Sequence, residues 1–252
     1  MRDNKNIAFF DSGIGGLTVL KTALSYLPDE QYIYYADTKN APYGTKTKQE
    51  IKKHLFNAVE FLSTKNIKLL VIACNTATSA AINELRKTYS FPIIGMEPAV
   101  KPAIDNTQGK KILVLATTFT LNEQKLQNLI TNFDKNNQTT KLALDKLVQY
   151  AENFDFDSTE IITFLKTKLD LINILDYDTI VLGCTHFIFY KTIIEQLIPK
   201  HIKILDGNVG TIKQMLRILN KDASKKNSPS HNVTFYSSST KSNEAKLRDL
   251  LN

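Results

Sequence analysis

Leu69-Leu70-Val71-Ile72-Ala73-Cys74-Asn75-Thr76 and Thr179-Ile180-Val181-Leu182-Gly183-Cys184-Thr185-His186 decide how this chain is read. In each, an apolar run meets a small residue, then a cysteine, then polar side chains. Such a run suits a strand buried on both faces of a parallel sheet, and its polar end falls at the carboxyl edge, where ligands bind in open α/β folds. The 252-residue chain has 2 cysteines, and both stand at such an edge. Matched contexts of this kind point to two thiols facing one substrate.

A second duplication frames the first. Asn6-Ile7-Ala8-Phe9-Phe10-Asp11-Ser12 resembles Lys111-Ile112-Leu113-Val114-Leu115-Ala116-Thr117, and the step from Asn6 to Lys111 is 105 positions against 110 between the cysteines. Two strand ends recurring in order at nearly constant separation predict two pseudosymmetric α/β halves with the site in the cleft between them. Further strands are expected at residues 7–10, 32–35, 69–73, 93–94, 112–115, 180–182, 202–205 and 233–236. Ile51, Leu55, Ala58, Val59 and Leu62 share one helical face, and similar spacing recurs over 17–27, 80–89, 160–175, 191–197 and 211–219. Strands alternating with helices predict a mainly parallel sheet flanked by helices in each half. Gly95-Met96-Glu97-Pro98 reads as the crossing and Asp206-Gly207-Asn208 as the return. The expected first domain is therefore 1–96 plus 208–252, closed by a short helix from Asn243, and the second is 97–207. Residues 131–157, rich in Asn, Lys and Asp, give no clear pattern of elements.

Composition narrows the class. The start, 1–6, is polar, and the apolar stretch Ile7-Ala8-Phe9-Phe10 falls short of the roughly 7–15 residues of a secretory signal core. No run approaches the ~18 apolar residues of a membrane span. A cytoplasmic protein is expected, and reduced thiols with it, which argues against a Cys74–Cys184 disulfide. No Cys-x-x-Cys spacing supports a zinc site. The net charge of +7 raises nucleic acid as a partner, but the lysines are spread along the expected helices, with one cluster at 221–226, and read as a solvated surface.

Asp11-Ser12-Gly13-Ile14-Gly15-Gly16 follows a strand and precedes a helix. Its glycines let backbone N–H groups approach an anion. There is no phosphate-loop lysine, the spacing is not Gly-x-Gly-x-x-Gly, and Asp11 would repel a phosphate, so a small carboxylate is the better guest. Asn40-Ala41-Pro42-Tyr43-Gly44 reads as a turn with Tyr43 at its tip. Asn75, Thr76 and Thr185 stand where strand gives way to helix, placed to cap the helix or hold substrate, and N–H groups there lower a thiol's pKa. His186 lies two residues past Cys184, in reach of a proton-relay role. A free thiol titrates at about 8.5, so thiolate and thiol coexist at neutral pH with modest tuning. Such a pair can take a proton from one face of a carbon and return another to the opposite face. A hydrolase built on Cys184 and His186 would leave Cys74 without a role, and a non-catalytic amino-acid-binding module would need neither thiol.

The blocks Asp11 to Gly16, Ala41-Pro42-Tyr43-Gly44, Ala73-Cys74-Asn75-Thr76-Ala77 and Gly183-Cys184-Thr185-His186 together resemble the signatures of the glutamate racemases, of the aspartate/glutamate racemase superfamily. The resemblance implies a two-domain fold, usually a homodimer, that interconverts L- and D-glutamate for peptidoglycan synthesis with neither pyridoxal phosphate nor metal. It implies Cys74 as the base for the D-enantiomer and Cys184 as the base for the L-enantiomer, supported by Asp11 and His186. Ser12, Tyr43, Gly44, Asn75, Thr76 and Thr185 match substrate-contacting or supporting positions; so do Thr117, Thr120 and Glu152. Three positions depart from the pattern: Ala116 replaces a glycine, 147–152 lacks a proline block, and Ile188 replaces a proline. An aspartate or hydantoin racemase with the same thiols is the neighbouring reading. The short lead into the first strand leaves little room for the N-terminal extension that some relatives use for activation by a cell-wall precursor.

Overall fold

The computed structural model describes residues 5–222, 232–238 and 244–251. Most of the basic cluster at 221–226, the polar start at 1–4 and Asn243 lie outside them. Nine strands form two all-parallel sheets among these residues: β1 (Asn6–Asp11), β2 (Gln31–Ala36), β3 (Ile67–Ile72), β4 (Ile93–Gly95) and β9 (Asn232–Ser237) in one, and β5 (Lys111–Ala116), β6 (Thr139–Ala143), β7 (Tyr177–Leu182) and β8 (Lys203–Asp206) in the other. The first runs β4-β3-β1-β2-β9 and the second β6-β5-β7-β8. Read backwards, the second places β5, β6, β7 and β8 where β1, β2, β3 and β4 stand, so the fold is an internal repeat with β9 added. The correspondence reaches single residues: β1 slips register against β3 between Asn6 and Ile7, and β5 slips against β7 between Lys111 and Ile112.

The alternation of β1 explains why it is central. Ile7 and Phe9 enter one apolar cluster, Ala8 and Phe10 another, and all four are fully buried. Leu69 and Val71 of β3 likewise join the first, Leu70 and Ile72 the second. Period-two alternation in a strand covered on both faces produces this division. The first cluster also takes in Leu113, Leu115, Ile180 and Leu182 from β5 and β7, so apolar packing is continuous from one sheet to the other.

Three expectations needed correction. The helical spacing at 160–175 overshoots: the helix is Thr159–Leu169, followed by a 3₁₀ turn at Ile174–Asp176. Leu171 and Leu175, which prolonged the pattern, are 68% and 60% exposed, while Asn173 donates to Asp176 and favours the turn. The helix expected at 80–89 begins earlier, at Asn75. Within 131–157 lie an edge strand, β6, whose residues are all half-buried, and a helix, Lys146–Glu152.

Candidate active site

The polar residues at the ends of β1, β3 and β7 meet in one buried network. Past β3, Cys74 is itself the N-cap of the helix Asn75–Thr88, its Sγ accepting from the Ala77 N–H at 3.3 Å. Ser12 Oγ lies 3.5 Å from the same sulfur. Asp11, at the end of β1, accepts from the Gly13 N–H at 2.9 Å and from the Thr185 hydroxyl at 3.1 Å, a bond that joins the two halves. Past β7, Cys184 opens a 3₁₀ helix, Thr185–Tyr190, and its Sγ stands 3.8 Å from His186 Nδ1. The far ring nitrogen, Nε2, meets Glu152 Oε1 at 2.6 Å, and that oxygen also accepts from the Ile14 N–H at 2.8 Å. Both cysteines are free and buried, and each lies within electrostatic reach of the other.

A second cluster lies beside the first. The hydroxyls of Thr76, Thr117 and Thr120 stand 3.0–3.2 Å from one another. Thr117 caps the short helix Thr118–Asn122 through the Thr120 N–H. Asn75 donates to the Met96 carbonyl at 3.2 Å, and its buried Oδ1 has no hydrogen-bond partner among the described residues. Tyr43 opens the expected turn, with its ring buried and its hydroxyl donating to Asp37 at 2.5 Å. A Cβ on Gly44 would sit 3.1 Å from both the Thr117 Cβ and an Asp145 oxygen, so this turn packs directly on the threonine cluster.

Burial sets the electrostatics. Desolvation pushes the Cys74 thiol up to about 12, reinforced by Asp11 and only partly offset by Ser12 and the Ala77 N–H. The lowering expected from the helix N-terminus is therefore present but outweighed. Burial likewise raises the Asp11 carboxyl to about 6, against the pull of His186 and the Gly13 N–H. For His186, burial opposes the charged ring, yet the hydrogen bonds and charges of Cys184 and Glu152 prevail and hold it well above the ordinary histidine range. The arrangement at neutral pH is a protonated Cys74 on one side and an imidazolium beside Cys184 on the other.

Beside the network opens a cavity of about 500 Å³, lined by Ile14, Thr38, Pro42, Glu152, Phe154 and Leu247 among others. Neither cysteine lines it; Glu152, which does, is bonded to His186. Sequence reasoning missed Asp37, which holds Tyr43, Asp145, which accepts from the Thr118 N–H and hydroxyl, and Tyr34, whose hydroxyl donates to the Gly13 carbonyl. Asp37 follows a strand in the manner of Asp11, and that placement was the available signal. Tyr34 sits inside an apolar strand, and its role shows only in three dimensions.

A family model described as Asp/Glu/Hydantoin racemase matches residues 18–215, a span holding both cysteines, the three threonines, Glu152 and His186. The chain belongs to this racemase family. It is an isomerase by that membership. Among curated members it is 50% identical over 245 residues to a glutamate racemase of Halothermothrix orenii, covering 97% of each chain. It is 51% identical over 237 residues to glutamate racemase 2 of Bacillus subtilis, covering 93% of this chain and 89% of the relative. Among solved structures, Escherichia coli glutamate racemase in complex with L-glutamate and the activator UDP-MurNAc-Ala superposes with a TM-score of 0.85 at 29% identity, over 98% of this chain and 94% of that one.

Proposed function

We propose that this chain racemises glutamate by a two-base, 1,1-proton transfer between Cys184 and Cys74. The observation that carries the reading is the pair of thiols at equivalent strand ends, buried in one network but in unequal company. Cys74, driven up by burial, rests as the thiol and is ready to donate; Cys184 has the His186 ring 3.8 Å from its sulfur and on this reading is the proton acceptor for the L-enantiomer. L-glutamate, placed with its α-hydrogen toward Cys184 as the family resemblance implies, loses that proton to Cys184. It gains another on the opposite face from Cys74 to become the D-enantiomer. In reverse, Cys74 must first give up its proton. The free Asn75 oxygen suits the substrate ammonium, and the hydroxyls of Thr76, Thr117 and Thr120, with Ser12 and Thr185, suit its carboxylates. On this reading the enzyme is a cytoplasmic homodimer, each chain divided into domains 1–96 plus 208–252 and 97–207, and it supplies D-glutamate for peptidoglycan.

Circular dichroism of L-glutamate incubated with the protein should decay to zero, and in deuterium oxide the product should carry deuterium at its α-carbon. Persistent optical activity would rule the reading out, and faster turnover of aspartate would redirect it to that substrate. A further expected outcome concerns Gly13, where an added Cβ would stand 1.8 Å from Glu152 Oε1. The carboxylate is the mobile end of a long side chain, so Gly13→Ala should leave the fold intact while driving Glu152 off His186. We expect a loss of roughly tenfold or more in kcat, of the size that misplaced catalytic groups produce, with an unchanged far-UV spectrum.

A further inference from the structure

We infer that Tyr34 is a positioning residue for the Cys184 side of the reaction, acting through the peptide unit between Gly13 and Ile14; this rests on the racemase reading. Tyr34 lies on β2, fully buried, and hydrogen-bonds to neither cysteine. Its hydroxyl donates to the Gly13 carbonyl at 2.7 Å. That carbonyl and the Ile14 N–H belong to one planar peptide group and turn together. At the other end of the group, the N–H donates to Glu152 Oε1 at 2.8 Å, the oxygen that holds His186 Nε2 at 2.6 Å. His186 in turn places Nδ1 3.8 Å from Cys184 Sγ. A continuous chain of hydrogen bonds thus runs from β2 of the first sheet to the thiol at the end of β7 in the second. Each link is polarised by the next. Burial keeps the Tyr34 phenol neutral, hence always a donor. Without it, the peptide is free to rotate about its flanking bonds, in a loop where glycine offers little resistance.

The test compares wild type, Tyr34→Phe, Glu152→Ala and the double variant. Phenylalanine keeps the ring and its packing against Phe235, at 6.1 Å between centroids, and removes only the donor. Tyr34→Phe should lower kcat for glutamate roughly tenfold with KM moved less than about threefold, the pattern of a mispositioned reacting group. In the Glu152→Ala background, where the chain is already cut, the same change should cost less than about twofold. Losses that multiply, or a Tyr34→Phe enzyme at the wild-type rate, overturn the proposal.

A second readout does not need turnover. The His186 ring, assigned with His186→Asn, is followed by NMR against pH. The titratable groups that face it are Glu152, Cys184 and Asp11, all retained in Tyr34→Phe. Loosening Glu152 should move the His186 titration to lower pH, and Gly13→Ala, which reaches the same carboxylate from the opposite side, should move it the same way. If Tyr34→Phe leaves that titration where it was, Tyr34 does not act through this chain. If wild type fails to racemise glutamate while the His186 titration still moves in Tyr34→Phe, the proposed function is refuted and the positioning role stands.

Discussion

Cys74→Ala is expected to cut racemisation by at least roughly a thousandfold while the protein stays folded, and Cys184→Ala to do the same, each change removing one general acid–base partner. Inversion needs a proton acceptor on one face of the α-carbon and a donor on the other, and in the proposed reaction each thiol serves one face. Asp11, whose charge reaches Cys74, is held by the Gly13 N–H and the Thr185 hydroxyl and is not free to substitute. Removing the sulfur leaves a small void at a helix N-cap, and the N-cap bond it loses is worth about 1 kcal/mol, so folding survives. The measurement is the polarimetric rate in both directions, with thermal unfolding as the control. A hydrolase relying on Cys184 and His186 would be indifferent to loss of Cys74, so near-normal rates in Cys74→Ala would remove the two-base account and revive that alternative.

Asp11→Asn should stabilise the protein by roughly 3 kcal/mol at neutral pH while slowing catalysis. The figure follows from the carboxyl titrating at about 6 when folded against a reference of 3.8, each unit being worth about 1.4 kcal/mol. The sign runs through proton binding. Between pH 4 and 6 the folded chain holds a proton on Asp11 that the unfolded chain has released. Whatever stability this carboxyl contributes is therefore present below the unfolded value and lost as pH rises through the folded one. Asparagine keeps the shape and never ionises, so the two proteins should differ little near pH 4 and by the full amount at pH 7. Denaturant unfolding at both pH values measures it; a gap that does not change with pH would show that Asp11 is ionised as readily in the fold as outside it. A group retained against its own cost to stability fits the expectation that it serves the chemistry.

Much of this was legible in the chain because the informative strands are buried on both faces. The runs ending at Ala73 and Leu182 have the apolar content that only an interior parallel strand requires, and the 105- and 110-residue steps exposed the repeat that the sheet orders display. Where burial is partial the signal fades. β6, Thr139–Ala143, is an edge strand with no fully buried residue, and nothing in Thr-Thr-Lys-Leu-Ala marks it out. Leu171 and Leu175 misled for the opposite reason, being apolar side chains left in water. In the site, residues adjacent to a cysteine or glycine were found from type and position. Glu152 entered only through family resemblance, because its partners, Ile14 and His186, are 138 and 34 positions away. The direction of the Cys74 shift was misread for a related reason: the helix N-terminus can be seen in sequence, whereas the depth of burial that overrides it cannot.

The tail of the chain has a stake in what happens at the thiols. Ser237, on β9, shares a hydrogen bond of 2.8 Å with Thr38, the neighbour of Asp37, and together with Leu247 it walls the cavity outside Glu152. Shortening the protein before β9 would strip one side from this antechamber and unfasten the loop behind Tyr43. A segment that touches neither sulfur thus helps to form the wall on the far side of Glu152.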